Sequence, residues 1–223
     1  MKNLTAIFIG TLAIASIALA GTSSVTGKLI ALDAGHGGAE IGAYNSAYQV
    51  AEKDVNLVVV LALKTKLEAD GAKVVLTREG DDTMDSRKSR VDLAIEKCNT
   101  QFGRKCDILV SVHHNGNSDP NHDGTLVIYN EKKDIPLARA LHDALLDPLT
   151  GLGLNDEGYL HGGYGMTVYG NLVSALTEAY YITNDTEAQL YLAGTRVPQE
   201  VDALYNGLVK YFGSSGGGKP RGK

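Results

Sequence analysis

Apolar residues along the chain form two alternating patterns: short continuous runs typical of buried strands, and longer segments with the three-to-four-residue spacing of helices. The predicted strands are residues 28–33, 73–77, 107–113, 124–129 and 172–179. The predicted helices are residues 52–69, 86–97, 136–146 and 197–212. This alternation predicts an α/β fold, a three-layer sandwich with a mostly parallel central sheet flanked by helices.

The two ends of the chain differ in composition from the middle. Lys2 precedes an uncharged, mainly apolar run, residues 4–20, that closes on Ala-Leu-Ala, a pattern that predicts a secretory signal peptide over residues 1–20. A membrane anchor is the alternative. Residues 21–27 form a short lead, residues 28–212 one folded domain, and the Gly-, Ser- and Lys-rich residues 213–223 a flexible tail. We therefore expect a secreted or periplasmic protein with no stable membrane insertion after signal cleavage.

Composition narrows the classes of protein. The 223 residues include 43% apolar and 21% charged residues and carry a formal net charge of −5, which argues against nucleic acid as a partner. Two cysteines, Cys98 and Cys106, are too few for a disulfide scaffold or a cysteine zinc cluster. In an exported protein they predict one disulfide, with two free buried thiols as the alternative.

Unusual polar residues stand where predicted strands end. His36 follows the first strand in a glycine-rich loop, His113 and His114 end the third, and Glu178 lies near the end of the strand formed by residues 172–179. Ligands of open α/β sheets bind beyond the carboxyl ends of the strands, so we expect these side chains to converge.

A carboxylate at a helix start completes a candidate metal site. A lone histidine at a strand end is usually structural, but two strand-end histidines, His36 and one of the pair His113 and His114, together with Glu52 make a three-ligand set that suits a catalytic zinc with one open position. Because successive strand side chains point to opposite faces, only one of His113 and His114 should reach the metal.

Several motifs, in order, resemble one family. They are the segments LIALDAGHGG, EKDVNL, VVLTRE, DILVSVHHN and ALTEAYYITN, and they extend over residues 28–212. In combination they resemble the zinc-dependent N-acetylmuramoyl-L-alanine amidases that cut bacterial peptidoglycan. The resemblance implies one Zn²⁺ per chain, held by His36, Glu52 and His113, with Glu178 as the catalytic carboxylate. It also implies hydrolysis of the amide between the lactyl group of N-acetylmuramic acid and L-alanine.

Further residues are candidates for supporting roles. Asp33 either orients a zinc-bound imidazole or caps nearby loop amides. His114 is packed in the core, supports the metal site, or faces the substrate. Asn115 is another second-shell or substrate candidate, and His161 lies in a glycine- and tyrosine-rich segment, residues 158–171, interpreted as a mobile loop over a substrate groove.

The chain departs from the family pattern at two places. Tyr180 and Tyr181 replace a Gly-Phe pair and are expected to reshape the pocket floor, whereas Ala34 replaces a proline without consequence. Arg78 and Arg87 are candidate partners for carboxylates of the peptide, with ordinary structural ion pairs as the alternative.

The expected partner is peptidoglycan or a soluble muropeptide. Because only one evident helix lies between Tyr129 and Glu178, we expect an open site and no obligatory activator. We also expect a monomer. Two alternatives stay open: a zinc peptidase or carboxypeptidase acting on wall peptides, and a non-catalytic wall-binding module with the same fold.

Overall fold

The computed structural model describes residues 23–84, 86–163 and 165–215. The predicted signal peptide and residues 216–223 of the predicted tail lie outside these ranges. Within them, no helix is long and apolar enough to cross a membrane. The last helix continues through Ser215, so the first three residues assigned to the flexible tail are helical.

A six-stranded sheet forms the centre of the molecule. The strands of the chain are β1 (Leu29–Ala34), β2 (Tyr44–Asn45), β3 (Val50–Ala51), β4 (Lys73–Leu76), β5 (Ile108–Asn115), β6 (Thr125–Tyr129), β7 (Asp156–His161) and β8 (Val173–Tyr181). Their order in the large sheet is β4-β1-β5-β8-β6-β7, while β2 and β3 form a small antiparallel pair. Only the β6–β8 pair of the large sheet is antiparallel, which confirms the mostly parallel arrangement.

Helices cover the two faces of the sheet unequally. They are α1 (Glu52–Ala69), α2 (Arg87–Phe102), α3 (Ile135–Leu146), α4 (Asp185–Leu192) and α5 (Arg196–Ser215). The larger apolar core joins α1, α3 and α5 to one face of the sheet. On the other face, α2 and a short 3₁₀ helix, Gly165–Val168, cover the second core. The predicted three-layer sandwich is confirmed.

Helix α2 has a clear capping residue at each end. Ser86 caps the start of α2 by accepting a hydrogen bond from the backbone N–H of Ser89, and the Ser89 hydroxyl accepts one from the backbone N–H of Ser86. Gly103 ends α2 in the left-handed region, with φ of 67°. Just beyond, Cys98 and Cys106 form the predicted disulfide, which links the last part of α2 to the segment entering β5.

The segment interpreted as a mobile loop, residues 158–171, is instead largely ordered. It contains most of β7 and the 3₁₀ helix. Strand β7 lies at the edge of the sheet and most of its side chains are exposed or half-buried, so it lacks the apolar pattern of a buried strand. Helix α4 and the β2–β3 pair were also not predicted.

Candidate functional site

Three side chains from separate elements meet at the carboxyl end of the sheet. His36 follows β1 in a loop, Glu52 is the first residue of α1, and His113 lies on β5. The His36 Nε2 atom lies 3.1 Å from Glu52 Oε2, and the His113 Nδ1 atom lies 2.9 Å from Glu52 Oε1. One nitrogen or oxygen from each residue falls within a cluster no wider than 4.8 Å, a group able to hold a metal ion.

Two glycines make this convergence sterically feasible. A Cβ atom at Gly35 would lie 2.2 Å from the His113 ring, and one at Gly42 would lie 2.3 Å from Glu52 Oε2. Gly42 also has a φ of 70°, and His36 itself lies in the left-handed region with φ of 59°. The loop between β1 and β2 is therefore shaped to let backbone and ligands approach closely.

The electrostatics of the cluster favour a charged Glu52 carboxylate. Burial acts to raise the pKa of Glu52, but hydrogen bonds and charge from His113 and His36 outweigh it and hold that pKa far below its ordinary value. Two imidazole nitrogens and an ionised carboxylate are the donors of a catalytic zinc site that keeps one position open. The residues present thus fit zinc.

Glu178 faces this cluster from the neighbouring strand. It lies opposite His113 in the parallel β5–β8 register, so both side chains project from the same face. Its Oε2 atom is shielded from solvent and has no hydrogen-bond partner among the described residues. Burial raises the pKa of Glu178 to about 7; His113 opposes the rise and the Glu52 charge adds to it. A carboxyl group with that pKa can accept and return a proton near neutral pH.

A cleft contains Glu178, His36 and His113, and its lining is mixed, with charged and apolar residues. The lining residues are Asp33, His36, Glu40, Arg87, Arg90, His113, Ile128, Gly165, Met166, Leu176 and Glu178. The expectation that Tyr180 and Tyr181 form the floor is wrong. Tyr180 points to the opposite face, where its ring packs 4.3 Å from that of His114, and Tyr181 donates a hydrogen bond to Glu157.

Asp33 has neither of its two expected roles. Its fully buried carboxylate accepts hydrogen bonds from Thr77 and Ser111 and pairs with Arg90 at 3.0 Å. Burial acts to raise its pKa, but Arg90 and the two hydroxyls lower it below its ordinary value. Arg90 also donates to the backbone carbonyls of Ala34 and His36. Asp33 therefore anchors an arginine that holds the His36 loop.

His114 is buried on the α1 and α5 side and reaches the cluster indirectly. Its Nδ1 atom lies 2.7 Å from Asn56 Oδ1, and its Nε2 atom lies 2.9 Å from Glu200 Oε2. The Asn56 amide in turn donates to Glu52 Oε1 at 3.3 Å and to the Gly35 carbonyl at 3.1 Å. Of its three predicted roles, packing and support of Glu52 fit this geometry, and facing the substrate does not.

The remaining predicted residues lie apart from the cluster. Asn115 accepts a hydrogen bond from the backbone N–H of Gly116 and so shapes the turn after β5. His161 ends β7, where its ring lies 5.7 Å from that of Tyr129, and it does not line the cleft.

The two arginines differ in their surroundings. Arg78 is buried and donates to four backbone carbonyls, including those of Ala34 and Gly35, rather than pairing with Asp81 or Asp82. Burial and the nearby Arg90 charge lower its pKa. Arg87 is exposed at the start of α2 and lines the cleft.

Sequence reasoning missed Asn56, Arg90 and Glu200. Asn56 follows Glu52 by one helical turn within the EKDVNL motif, and that spacing is a signal that could have identified it. Arg90 and Glu200 carry no comparable local signal.

A parallel α/β sandwich with a three-donor cluster and a shielded carboxylate at the strand ends has the arrangement of a metal-dependent hydrolase. Residues 30–210 match the family model described as N-acetylmuramoyl-L-alanine amidase. The chain therefore belongs to the N-acetylmuramoyl-L-alanine amidase family, as its motifs predict.

Individual relatives agree with this assignment. N-acetylmuramoyl-L-alanine amidase LytC of Bacillus subtilis (strain 168) is 29% identical over 189 residues, which cover 84% of this chain but only 36% of LytC. The crystal structure of an N-acetylmuramoyl-L-alanine amidase from Clostridium difficile 630 superposes with a TM-score of 0.74 at 25% identity, covering 85% of this chain and 98% of that one. The predicted fold is therefore also confirmed.

A third match is to a complex. The CwlD amidase of Clostridioides difficile, whose structure includes the GerS lipoprotein, is 26% identical with a TM-score of 0.71, covering 84% of this chain and 99% of CwlD. That family member binds a protein partner in its solved form.

Proposed function

We propose that this protein is a zinc-dependent amidase that hydrolyses the bond between the lactyl group of N-acetylmuramic acid and L-alanine in peptidoglycan. The observation that carries the proposal is the meeting of His36, Glu52 and His113 beside Glu178 in a cleft of a family amidase fold. The products would be a glycan strand with free lactyl carboxylates and a stem peptide that begins with L-alanine.

His36 Nε2, Glu52 and His113 Nδ1 would hold the zinc ion. When bound, zinc supplies a Lewis acid that polarises the scissile carbonyl and activates a water molecule. The ionised state of Glu52 supports this role, because a metal ligand must be deprotonated and hydrogen bonds from both imidazoles already stabilise that form.

Glu178 would move the proton. Its shielded, unpartnered Oε2 is free to take a proton from the attacking water and to deliver it to the departing amide nitrogen. Desolvation raises the pKa of the half-buried Glu178 above its ordinary value, which favours proton uptake by this carboxylate. Its place opposite His113 would put it beside a bound ion, and it is not part of the three-residue donor group.

The compartment and partners follow from the wall substrate. A peptidoglycan amidase works outside the cytoplasm, at or beyond the wall, which agrees with the N-terminal sequence pattern. We infer a secreted or periplasmic enzyme with one disulfide. We also infer a monomer that works without an obligatory activator, although CwlD is found in complex with a lipoprotein.

The test is product analysis on purified peptidoglycan. We expect new N-terminal L-alanine from an intact glycan, loss of activity with a chelator, and recovery with zinc. Glu178→Gln should lower kcat by about 10²-fold or more while its zinc content stays at one per chain. Glu96→Gln, an exposed α2 variant with the same chemical change, should match the wild type. Release of D-amino acids or cut cross-links would support a peptidase instead.

A further inference from the structure

Two charged side chains that line the cleft, Arg87 and Glu40, have no role in the site described so far, and Arg87 is the cation of the two. Arg87 is exposed, lines the same cleft as His36 and Glu178, and pairs with no group among the described residues. Its neighbours on the same helix differ: Lys88 pairs with Asp92 at 2.5 Å. Arg90 is committed to Asp33. Within this first turn of α2, Arg87 is therefore the cation left available to a ligand.

The sheet order fixes the side of the cleft from which Arg87 projects. Helix α2 packs on β1, β4 and the 3₁₀ helix, at one end of the sheet. At the other end lie β6 and β7, with Ile128 in the cleft floor and Leu160 opposite it in register and 51% exposed. The strands that carry His113 and Glu178 lie between these ends. Arg87 therefore lies on one side of the reacting centre, and the apolar Ile128 and Leu160 lie on the other.

The proposed substrate also carries its charge on one side of the scissile bond only. In the muramoyl glycan next to the scissile bond, the lactyl carboxyl is consumed in the amide and the sugars carry no charge. The stem peptide, on the other side of that bond, retains carboxylates. A guanidinium is the side chain best suited to a carboxylate, because its planar N–H groups form paired, charge-assisted hydrogen bonds.

We propose that Arg87 binds a carboxylate of the stem peptide and so orients the substrate, with the peptide toward α2 and the glycan toward β6 and β7. This inference rests on the proposed amidase function. Arg87 is then a specificity residue that contributes to substrate binding, and it takes no part in proton transfer.

The experiment compares two soluble muropeptides that differ in one group: a free α-carboxylate or a carboxamide on the second residue of the stem. With the wild type we expect a KM about tenfold lower for the carboxylate substrate at similar kcat, the size of one charge-assisted hydrogen bond. Arg87→Gln should remove this preference by raising the KM for the carboxylate substrate alone, and Arg87→Lys should restore part of it.

Lys88→Gln provides the matched control. It makes the same change of charge at the next residue, on a side chain that pairs with Asp92 and does not line the cleft, so it should retain the preference. A wild type without preference, or an Arg87→Gln enzyme that keeps it, would overturn the inference. Failure of the wild type to cut either substrate would instead contradict the proposed function.

Discussion

At the scale of single residues, the site depends on groups that never touch the substrate. The chain of hydrogen bonds from Glu200 through His114 and Asn56 ends on Glu52 Oε1. All four side chains are buried, so each partner that is removed leaves a polar group without water to replace it. Such outer partners fix the orientation of a ligand and tune its affinity for the metal.

Asn56→Ala is therefore expected to weaken zinc binding. Loss of the amide that holds Glu52 should raise the zinc dissociation constant by about 10- to 100-fold, measured by competition with a chromogenic chelator. Asn45→Ala is the control, because Asn45 is equally buried but donates to Thr183 and Asp185 instead. Both variants should lose stability. Equal zinc affinities for the two would contradict a positioning role for Asn56.

The residues closest to the chemistry were predictable, and their supports were not. The convergence of strand ends and the alternation of strand side chains indicate His36 and one of His113 and His114, Glu52 is added as a carboxylate at a helix start, and the family resemblance selects His113. Glu200 is 86 residues from His114, and only the packing of α5 brings the two together. The position of Asp33, three residues before His36, marks it as a candidate in the sequence, but its partner Arg90 comes from helix α2, far along the chain.

At the scale of elements, the disulfide links a helix of the cleft face to a strand of the site. It joins α2, the only α-helix of the described chain that packs on the cleft face, to the approach to β5, which carries His113. Cys98 is fully buried against the second core. The bond thereby holds the helix that bears Arg87 against the strand that bears a proposed metal ligand.

Reduction of this disulfide should lower the free energy of unfolding. The bond closes a short loop of eight residues, for which the loss of unfolded-state entropy corresponds to about 2 kcal/mol. Urea unfolding with and without dithiothreitol measures the effect. A Cys98→Ala/Cys106→Ala double variant should start at the lower stability and be indifferent to the reductant. An unchanged midpoint for the reduced wild type would show that the bond adds nothing.

Helices and strands were predictable from the sequence where burial of one face leaves a periodic pattern of apolar residues. Helix α1 was predicted with both of its observed bounds, since its apolar residues recur every turn and a glycine follows. Strand β7 was not, because an edge strand with exposed side chains has no alternation to detect. Helix α4 is only eight residues long and has few apolar residues, so Asn184 at its N-cap is the main sequence signal for it.

At the scale of the whole molecule, the stability of the fold depends on pH through the partly buried carboxyl group of Asp123. Asp123 accepts hydrogen bonds from the backbone N–H groups of Gly124 and Tyr181. Burial and the neighbouring Glu187 nevertheless raise its pKa to about 6. Glu187 is itself held in a buried ion pair with Arg196 of α5. Two neighbouring carboxyl groups thus lie near the end of β8, and of the two only Glu187 is paired with Arg196.

This arrangement predicts that Asp123→Asn raises the free energy of unfolding, by an amount that depends on pH. Because the folded-state pKa is above the ordinary value of 3.8, the stabilising contribution of the protonated group is lost as pH rises from about 4 to about 6. At pH 7.5 the variant should be more stable than the wild type by about 1 kcal/mol, a value reduced for partial exposure. The gain should shrink at pH 4.5. Urea unfolding at both pH values is the measurement, and a gain independent of pH would contradict the assignment.

The unequal cover of the sheet has a consequence for how a polymer would be engaged. On the cleft face, α2 lies over β1 and β4 and the 3₁₀ helix lies against β8, while β6 and β7 continue beyond them to the edge of the sheet. A strand of many repeating units can therefore be laid against this enzyme from the side, without being threaded in from a terminus. For the proposed peptidoglycan substrate, attack at internal repeats would then require no prior cut to expose an end.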